Sequence, residues 1–231
     1  SLREALANYR NVVTVKLMQN IGIKSTIRLA RSLGITSNLE ENLSIALGSS
    51  GVTLFELTAA YSAFANLGKL IKPTAIMKIT SRSGELLFTA NPKITQPLSP
   101  GTAHIITSLL QSVIKNGTAT KVKVLKRPVA GKTGTTNNYV DAWFMGYTPE
   151  LVTGVWVGKD KDDPLGKNET GSRAAIPIWL KFMQEALVNQ PVKNFPVPDD
   201  IQFLRIQPKS GEPANFSEAN SNFELFLQEF L

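Results

Sequence analysis

Apolar residues in the first twenty positions recur at helical spacing: Leu2, Ala5, Leu6, then Val12, Val13, Val15, Leu17 and Met18. The polar insert Asn8-Tyr9-Arg10-Asn11 interrupts them, so the pattern predicts two helical pieces joined by a short turn, the second closed by Gly22. A short helix is expected from Ser25 to Ser32, stopped by Gly34. Thr53 with Glu56 three residues on reads as a capping box. It opens a helix carrying Leu54, Leu57, Ala60, Phe64 and Ala65 and ending at Gly68. Residues 74–80 and 86–89 flank Ser81-Arg-Ser-Gly84 and predict a hairpin. Ser99 caps a helix with Ile105, Ile106, Leu109, Leu110 and Ile114 on one side, and Gly117 stops it. Three strand-like runs follow, near 128–136, 140–147 and 151–158, the last two joined by the turn Thr148-Pro149-Glu150 and therefore antiparallel. A final helix over 173–189 points Trp179, Leu180, Met183 and Leu187 inward. From Gln190 the chain is rich in Pro and Asn, with a strand signal at Ile201–Ile206 and a weak amphipathic segment at Phe223–Leu231.

Helices, then adjacent antiparallel strands, then a helix predict an α+β fold, an antiparallel sheet flanked by helices. The expected organisation is one domain over 1–189 with 190–231 as an appendage. At 231 residues the chain is long enough for this. Its 42% apolar and 19% charged residues exclude wholesale disorder. The absence of Cys excludes disulfides, thiolate metal sites and a cysteine nucleophile. His104, the single histidine, weakens both a histidine zinc site and a Ser-His-Asp triad.

The net charge of +7 is uneven: residues 1–128 carry 16 basic and 5 acidic side chains, and residues 129–231 carry 9 and 13. The basic residues are scattered, without an arginine-rich arm, which argues against nucleic acid as a partner. The longest apolar stretches are broken by Glu56, Lys69 and Lys78, short of the ~20 residues a spanning helix needs. The N-terminus has no initiator Met and no signal-peptide core. It reads as the middle of an amphipathic helix, so the chain is expected to be an internal piece of a longer protein, with any targeting element upstream.

The stretch Val129-Ala-Gly-Lys-Thr-Gly-Thr-Thr136 carries the chemistry. A phosphate-binding loop would need Gly at position 126, which is Lys126, and Pro128 removes an amide donor. The other chemistry is the Lys-Thr-Gly strand of penicilloyl-serine enzymes. Lys132 places a cation at a cleft edge, suited to a proton-relay hydroxyl or a substrate carboxylate, and the hydroxyls of Thr133 and Thr135 suit a carboxylate. Gly134 leaves room for an acyl-donor peptide to add as a strand. A backbone N–H just after it supplies half an oxyanion hole. On these residues alone, an ordinary glycine-containing strand with incidental hydroxyls is the better reading.

The wider sequence changes that balance. Ala7-Asn-Tyr-Arg-Asn-Val-Val-Thr-Val-Lys16, Leu47-Gly-Ser-Ser-Gly-Val-Thr53, Lys132-Thr-Gly-Thr-Thr136, Asp141-Ala-Trp-Phe144, Gly146-Tyr-Thr-Pro149, Val155-Trp-Val-Gly158 and Ala175-Ile-Pro-Ile-Trp179 stand in one order. Together they resemble the transpeptidase domain of class A penicillin-binding proteins, the bifunctional peptidoglycan synthases, over residues 1–189. The resemblance implies a β-lactamase/transpeptidase-like fold, incomplete here at its N-terminal side. It implies peptidoglycan D,D-transpeptidation through a serine acyl-enzyme, with stem peptides and β-lactams as partners and no cofactor or metal. It also implies a location on the extracytoplasmic face of the cytoplasmic membrane, anchored upstream of this chain. By the same resemblance Lys132, Asn11 and Tyr9 are the catalytic candidates, and Thr133, Gly134 and Thr135 bind substrate.

Two departures stand out. The family's Ser-x-x-Lys nucleophile precedes its Ser-x-Asn segment. The only such string here, Ser112-Val-Ile-Lys115, sits late in a helix and after that segment. The nucleophile is therefore expected in a missing N-terminal part of the same protein, and this chain alone is expected to be inactive. The second departure is Tyr9, which stands where the family has the Ser of Ser-x-Asn. It fills the cleft, replaces the relay hydroxyl, or marks a non-catalytic relative that binds stem peptide or a partner. His104 is expected at the surface and Trp143, Trp156 and Trp179 in the core, Trp143 being the nearest to the Lys-Thr-Gly edge. Asp160-Lys-Asp-Asp163 reads as a solvated turn rather than a calcium loop, and Asp141 as a brace for the neighbouring strand.

Overall fold

The computed structural model describes residues 1–161, 163–208, 210–215 and 221–230. Asp162 of the acidic turn and Leu231 at the end of the Phe223–Leu231 segment lie outside the described residues. The chain opens with α1 (Leu2–Ala7), α2 (Asn11–Ile21), α3 (Ile23–Ser32) and α4 (Leu54–Ala65). Short strands β1 (Leu70–Ile71), β2 (Lys78–Thr80), β3 (Leu86–Thr89) and β4 (Ile94–Thr95) follow, then α5 (Pro100–Asn116). The central strands are β5 (Ala130–Thr135), β6 (Ala142–Tyr147) and β7 (Val152–Val157). Helix α6 (Ile176–Ala186), β8 (Ile201–Ile206) and β9 (Asn222–Leu227) complete the order.

Local signals explain most of these boundaries. Thr53 accepts from the Glu56 amide while the Glu56 carboxylate accepts from the Thr53 amide, so the capping box is complete. The same carboxylate accepts from the Ser37 and Thr36 hydroxyls and amides, tying the loop after α3 to the start of α4, and the Ser37 and then the Thr36 hydroxyl bonds hold Glu56 well below the usual carboxylate range. Ser99 caps α5, with Pro100 in its first turn. The expected helix over 173–189 is shorter at both ends and is preceded by a wide turn, Gly171–Ala175.

Strands β5, β6 and β7 form one antiparallel sheet in that order, with Lys132 opposite Met145 and Thr133 opposite Phe144. Alternation sorts their side chains between two layers. Phe144 points to α6 and meets Trp179 edge to face, centroids 5.1 Å apart, within a cluster of Val113, Val122, Ile176 and Met183. Tyr147 and Ala130 point the other way, to Leu110 of α5 and to Phe195. The sheet is therefore the middle layer of an α+β sandwich.

Three expectations change. His104 is 8% exposed rather than on the surface, because α5 is covered on its polar side as well, by the segment that carries Phe195 and Asp200. Trp156 is 41% exposed rather than in the core; it shares the helix-covered face of Gly154 and Tyr147 but sits near the end of β7 beside Trp143, and its indole donates to Asp141 at 2.7 Å. Within the segment expected from Phe223, residues up to Leu227 belong to strand β9, paired along its length with β8, and Gln228–Phe230 form a short helical turn.

Candidate functional site

The turn between α1 and α2 brings Tyr9 to the open edge of β5. Gly117, just past α5, is what lets it approach: a Cβ there would lie 2.4 Å from the Ala7 carbonyl oxygen. Arg3 locks α1 from its other side, donating to both carboxylate oxygens of Glu224 and to Ser112 Oγ at 2.8 Å. Tyr9 itself holds φ at 54°, a left-handed conformation that costs a non-glycine residue about 1–2 kcal/mol.

In β5 the Thr136 amide donates to Asp141, so even-numbered residues exchange bonds with β6 and odd-numbered ones turn their N–H and C=O outward. The outward carbonyl of Thr133 accepts from the Tyr9 hydroxyl and, at 3.1 Å, from Lys132 Nζ. The N–H and C=O of Thr135 face the same edge. Lys132 and Thr133 lie on opposite faces of the strand, and Tyr9 wraps the edge between them. Its ring sits under Lys132 Nζ, 3.0 Å from the centroid, and its oxygen is 2.8 Å from Thr133 Oγ1. Thr118, from the turn after α5, reaches Thr133 Oγ1 from the far side at 2.9 Å.

This packing sets the electrostatics. Burial pulls the Lys132 ammonium down to about 7 and pushes the Tyr9 phenol up, the Thr133 hydroxyl opposing the latter. A lysine that titrates near neutrality can both give and take a proton there. Thr135 Oγ1 accepts from the Gly171 amide at 3.1 Å, so its own proton is left for a ligand. A Cβ on Gly134 would press on Trp143 Cβ at 3.1 Å, and one on Gly171 would strike the Gly134 and Trp143 carbonyls, so two glycines let the strand and its cover close.

The structure thus gathers Tyr9, Lys132, Thr133, Gly134 and Thr135 at one edge. Asn11 is the exposed first residue of α2, with no side-chain partner among the described residues. Ser112 is held by Arg3 and donates to the Ser108 carbonyl at 3.3 Å, a structural role inside α5. Thr118 is the member that sequence reasoning missed; it belongs to no motif, and only its position after the helix-stopping Gly117 hints at it. Among the described residues no cluster of three His, Asp or Glu side chains gathers as a metal site, and no helix is long and apolar enough to cross a membrane.

A family model for the penicillin binding protein transpeptidase domain matches residues 1–184. Penicillin-binding protein 1A of Aquifex aeolicus is 41% identical over 209 residues, covering 90% of this chain and 29% of the relative. The crystal structure of penicillin-binding protein 1A from Haemophilus influenzae superposes with a TM-score of 0.91 at 28% identity, over 98% of this chain and 40% of that one. The PonA1 protein from Mycobacterium tuberculosis, solved in complex with penicillin V, superposes with a TM-score of 0.74 at 28% identity, over 86% and 59%. The chain therefore spans less than two thirds of the length of each of these proteins.

Proposed function

Because this chain belongs to the penicillin binding protein transpeptidase domain family, we propose that it forms the substrate-binding and proton-handling wall of a serine peptidoglycan D,D-transpeptidase. The nucleophile is a serine of a Ser-x-x-Lys segment outside residues 1–231. Its Oγ attacks the penultimate D-alanine carbonyl of a stem peptide, the C–N bond breaks, and D-alanine leaves with a proton on its nitrogen. The acyl group then passes to an amine on a neighbouring stem, releasing the serine. A β-lactam acylates the same serine and stays.

One observation carries the reading: the open edge of β5, where outward-facing Thr135 groups lie beside a cation, two threonine hydroxyls and a phenol. A donor peptide adds along this edge as a strand. The Thr135 N–H meets the acyl oxygen as it gains charge. The Thr135 hydroxyl, backed by Lys132, takes the terminal carboxylate of the peptide or the drug, while the buried Thr133 hydroxyl, assigned to substrate in the sequence, is turned to Tyr9 and supports the site from behind. Tyr9, standing where the family has serine, donates the proton to the leaving nitrogen and recovers one through Lys132. Asn11 hydrogen-bonds the substrate amide. A non-catalytic role is the weaker alternative, since PonA1, a relative, was solved with penicillin V. The protein is placed on the extracytoplasmic face of the cytoplasmic membrane, held by a segment outside this chain.

The test is the rate of labelling of the full-length protein by a fluorescent penicillin. Lys132→Met and Thr135→Val are each expected to slow it at least ~10-fold, the loss of one charge-assisted hydrogen bond. Unchanged rates in both variants would remove the β5 edge from the reaction.

A further inference from the structure

The hydroxyls at this edge form a chain whose direction follows from counting protons. The Thr133 carbonyl can only accept, so the single proton of the Tyr9 phenol goes to it. The bond between Tyr9 Oη and Thr133 Oγ1 must then use the threonine's proton. That proton is now committed, so the bond between Thr133 Oγ1 and Thr118 Oγ1 must use the proton of Thr118. The order at rest is Thr118 to Thr133 to Tyr9 to the Thr133 carbonyl, with each hydroxyl proton assigned to one bond.

Three separate elements supply this chain, and one contact sets its geometry. Gly117 brings the end of α5 against the Ala7 carbonyl, placing Thr118 and the Tyr9 turn on either side of β5. Thr133 is 5% exposed and, among the described residues, its hydroxyl meets Tyr9 and Thr118, while Thr118 itself is exposed. The other titratable groups facing the phenol are Lys132 from β5 and Tyr61 from α4.

We infer that Thr118 is a positioning residue for Tyr9: by donating to Thr133 Oγ1 it turns the Thr133 proton onto the Tyr9 phenol oxygen. This rests on the transpeptidase reading above. When Tyr9 gives its proton to the leaving nitrogen, the oxygen left behind already faces a donor, and that donor is strengthened by the hydroxyl behind it. Thr118 touches neither the substrate nor the reacting atoms.

The test places 3,5-difluorotyrosine at position 9 of the full-length protein and follows its ionisation by fluorine NMR. Thr118→Val is expected to raise the midpoint by roughly half a pH unit, about threefold in the ionisation constant, the share of a charged hydrogen bond that polarisation from behind supplies. Thr118→Ser restores it. In a Thr133→Ala background Thr118→Val has no further effect. A midpoint that Thr118→Val leaves in place, or a shift that serine does not rescue or that persists without the Thr133 hydroxyl, would overturn the inference. Penicillin labelling of the unfluorinated variants should follow the same order. A wild-type protein that takes no label would count against the transpeptidase reading, while the midpoint still decides the role of Thr118.

Discussion

Lys132 offers the sharpest quantitative prediction. Its ammonium is covered by the Tyr9 ring and, among the described residues, donates to one carbonyl, and burial brings it down from 10.5 to about 7. In the unfolded chain the same group keeps its proton up to 10.5. Between these limits the unfolded state binds more protons than the folded one, so stability must rise with pH across the window from about 7 to 10.5. Below that window both states are protonated and the desolvation cost is felt in full. A difference of this size is worth about 5 kcal/mol when fully expressed. Water entering from the cleft side screens the charge and brings the expected gain to about half that. The assay is urea unfolding of the wild type and of Lys132→Met at a series of pH values, since the apolar variant keeps the shape and cancels every other titration. The wild-type curve should climb relative to the variant above pH 7. Parallel curves would mean that the ammonium is well solvated and that Tyr9 does not cover it.

Other changes have separate readouts. Trp179→Ala empties the space between Phe144 and α6 and should cost about 3–5 kcal/mol in denaturant unfolding; a loss under ~1 kcal/mol would show that this cluster is not the core. Gly146→Ala drives a methyl into Phe144 and Trp179, both under 3.0 Å from the added carbon, and should cost about 1–3 kcal/mol. Burial lowers the affinity of His104 for a proton, against the Pro196 carbonyl and Asp200, so stability should be lost as pH falls below 6.5, where the unfolded chain takes up a proton that the fold resists. His104→Gln should flatten that part of the curve, and an unaltered slope counts against a buried neutral imidazole. Arg3→Ala leaves Glu224 unpaired and should expose β8 and β9 to limited proteolysis before the rest of the chain; cleavage at the wild-type rate would show that the pair is not what seats them.

The parts that were legible in the sequence are those specified by neighbours in the chain. Thr53 and Glu56 announce a helix start because the capping box closes within four residues. Thr148-Pro149-Glu150 announces the pairing of β6 with β7 because a turn is local. The Lys132–Thr135 strand was legible as a site only in the company of the other segments in order, since its own residues also suit an ordinary glycine-containing strand. What could not be read depends on residues far apart. The polar face of α5 became interior at His104 because residues beyond 190 fold back over it. Tyr9 could be flagged as a departure, but its place beneath a lysine 123 positions later depends on how the α1–α2 turn seats against Gly117. Trp156 looks like a core residue by type and alternation puts it on the helix-covered face, yet its place near the end of β7 leaves it exposed, with Asp141 holding its indole.

The most direct test of the central claim is to treat the full-length protein with a penicillin and map the modified residue by mass spectrometry. One penicilloyl group on a serine of a Ser-x-x-Lys segment outside residues 1–231 is the predicted result, with residues 1–231 expressed alone taking none. No covalent adduct, or an adduct on Ser112, would contradict the account.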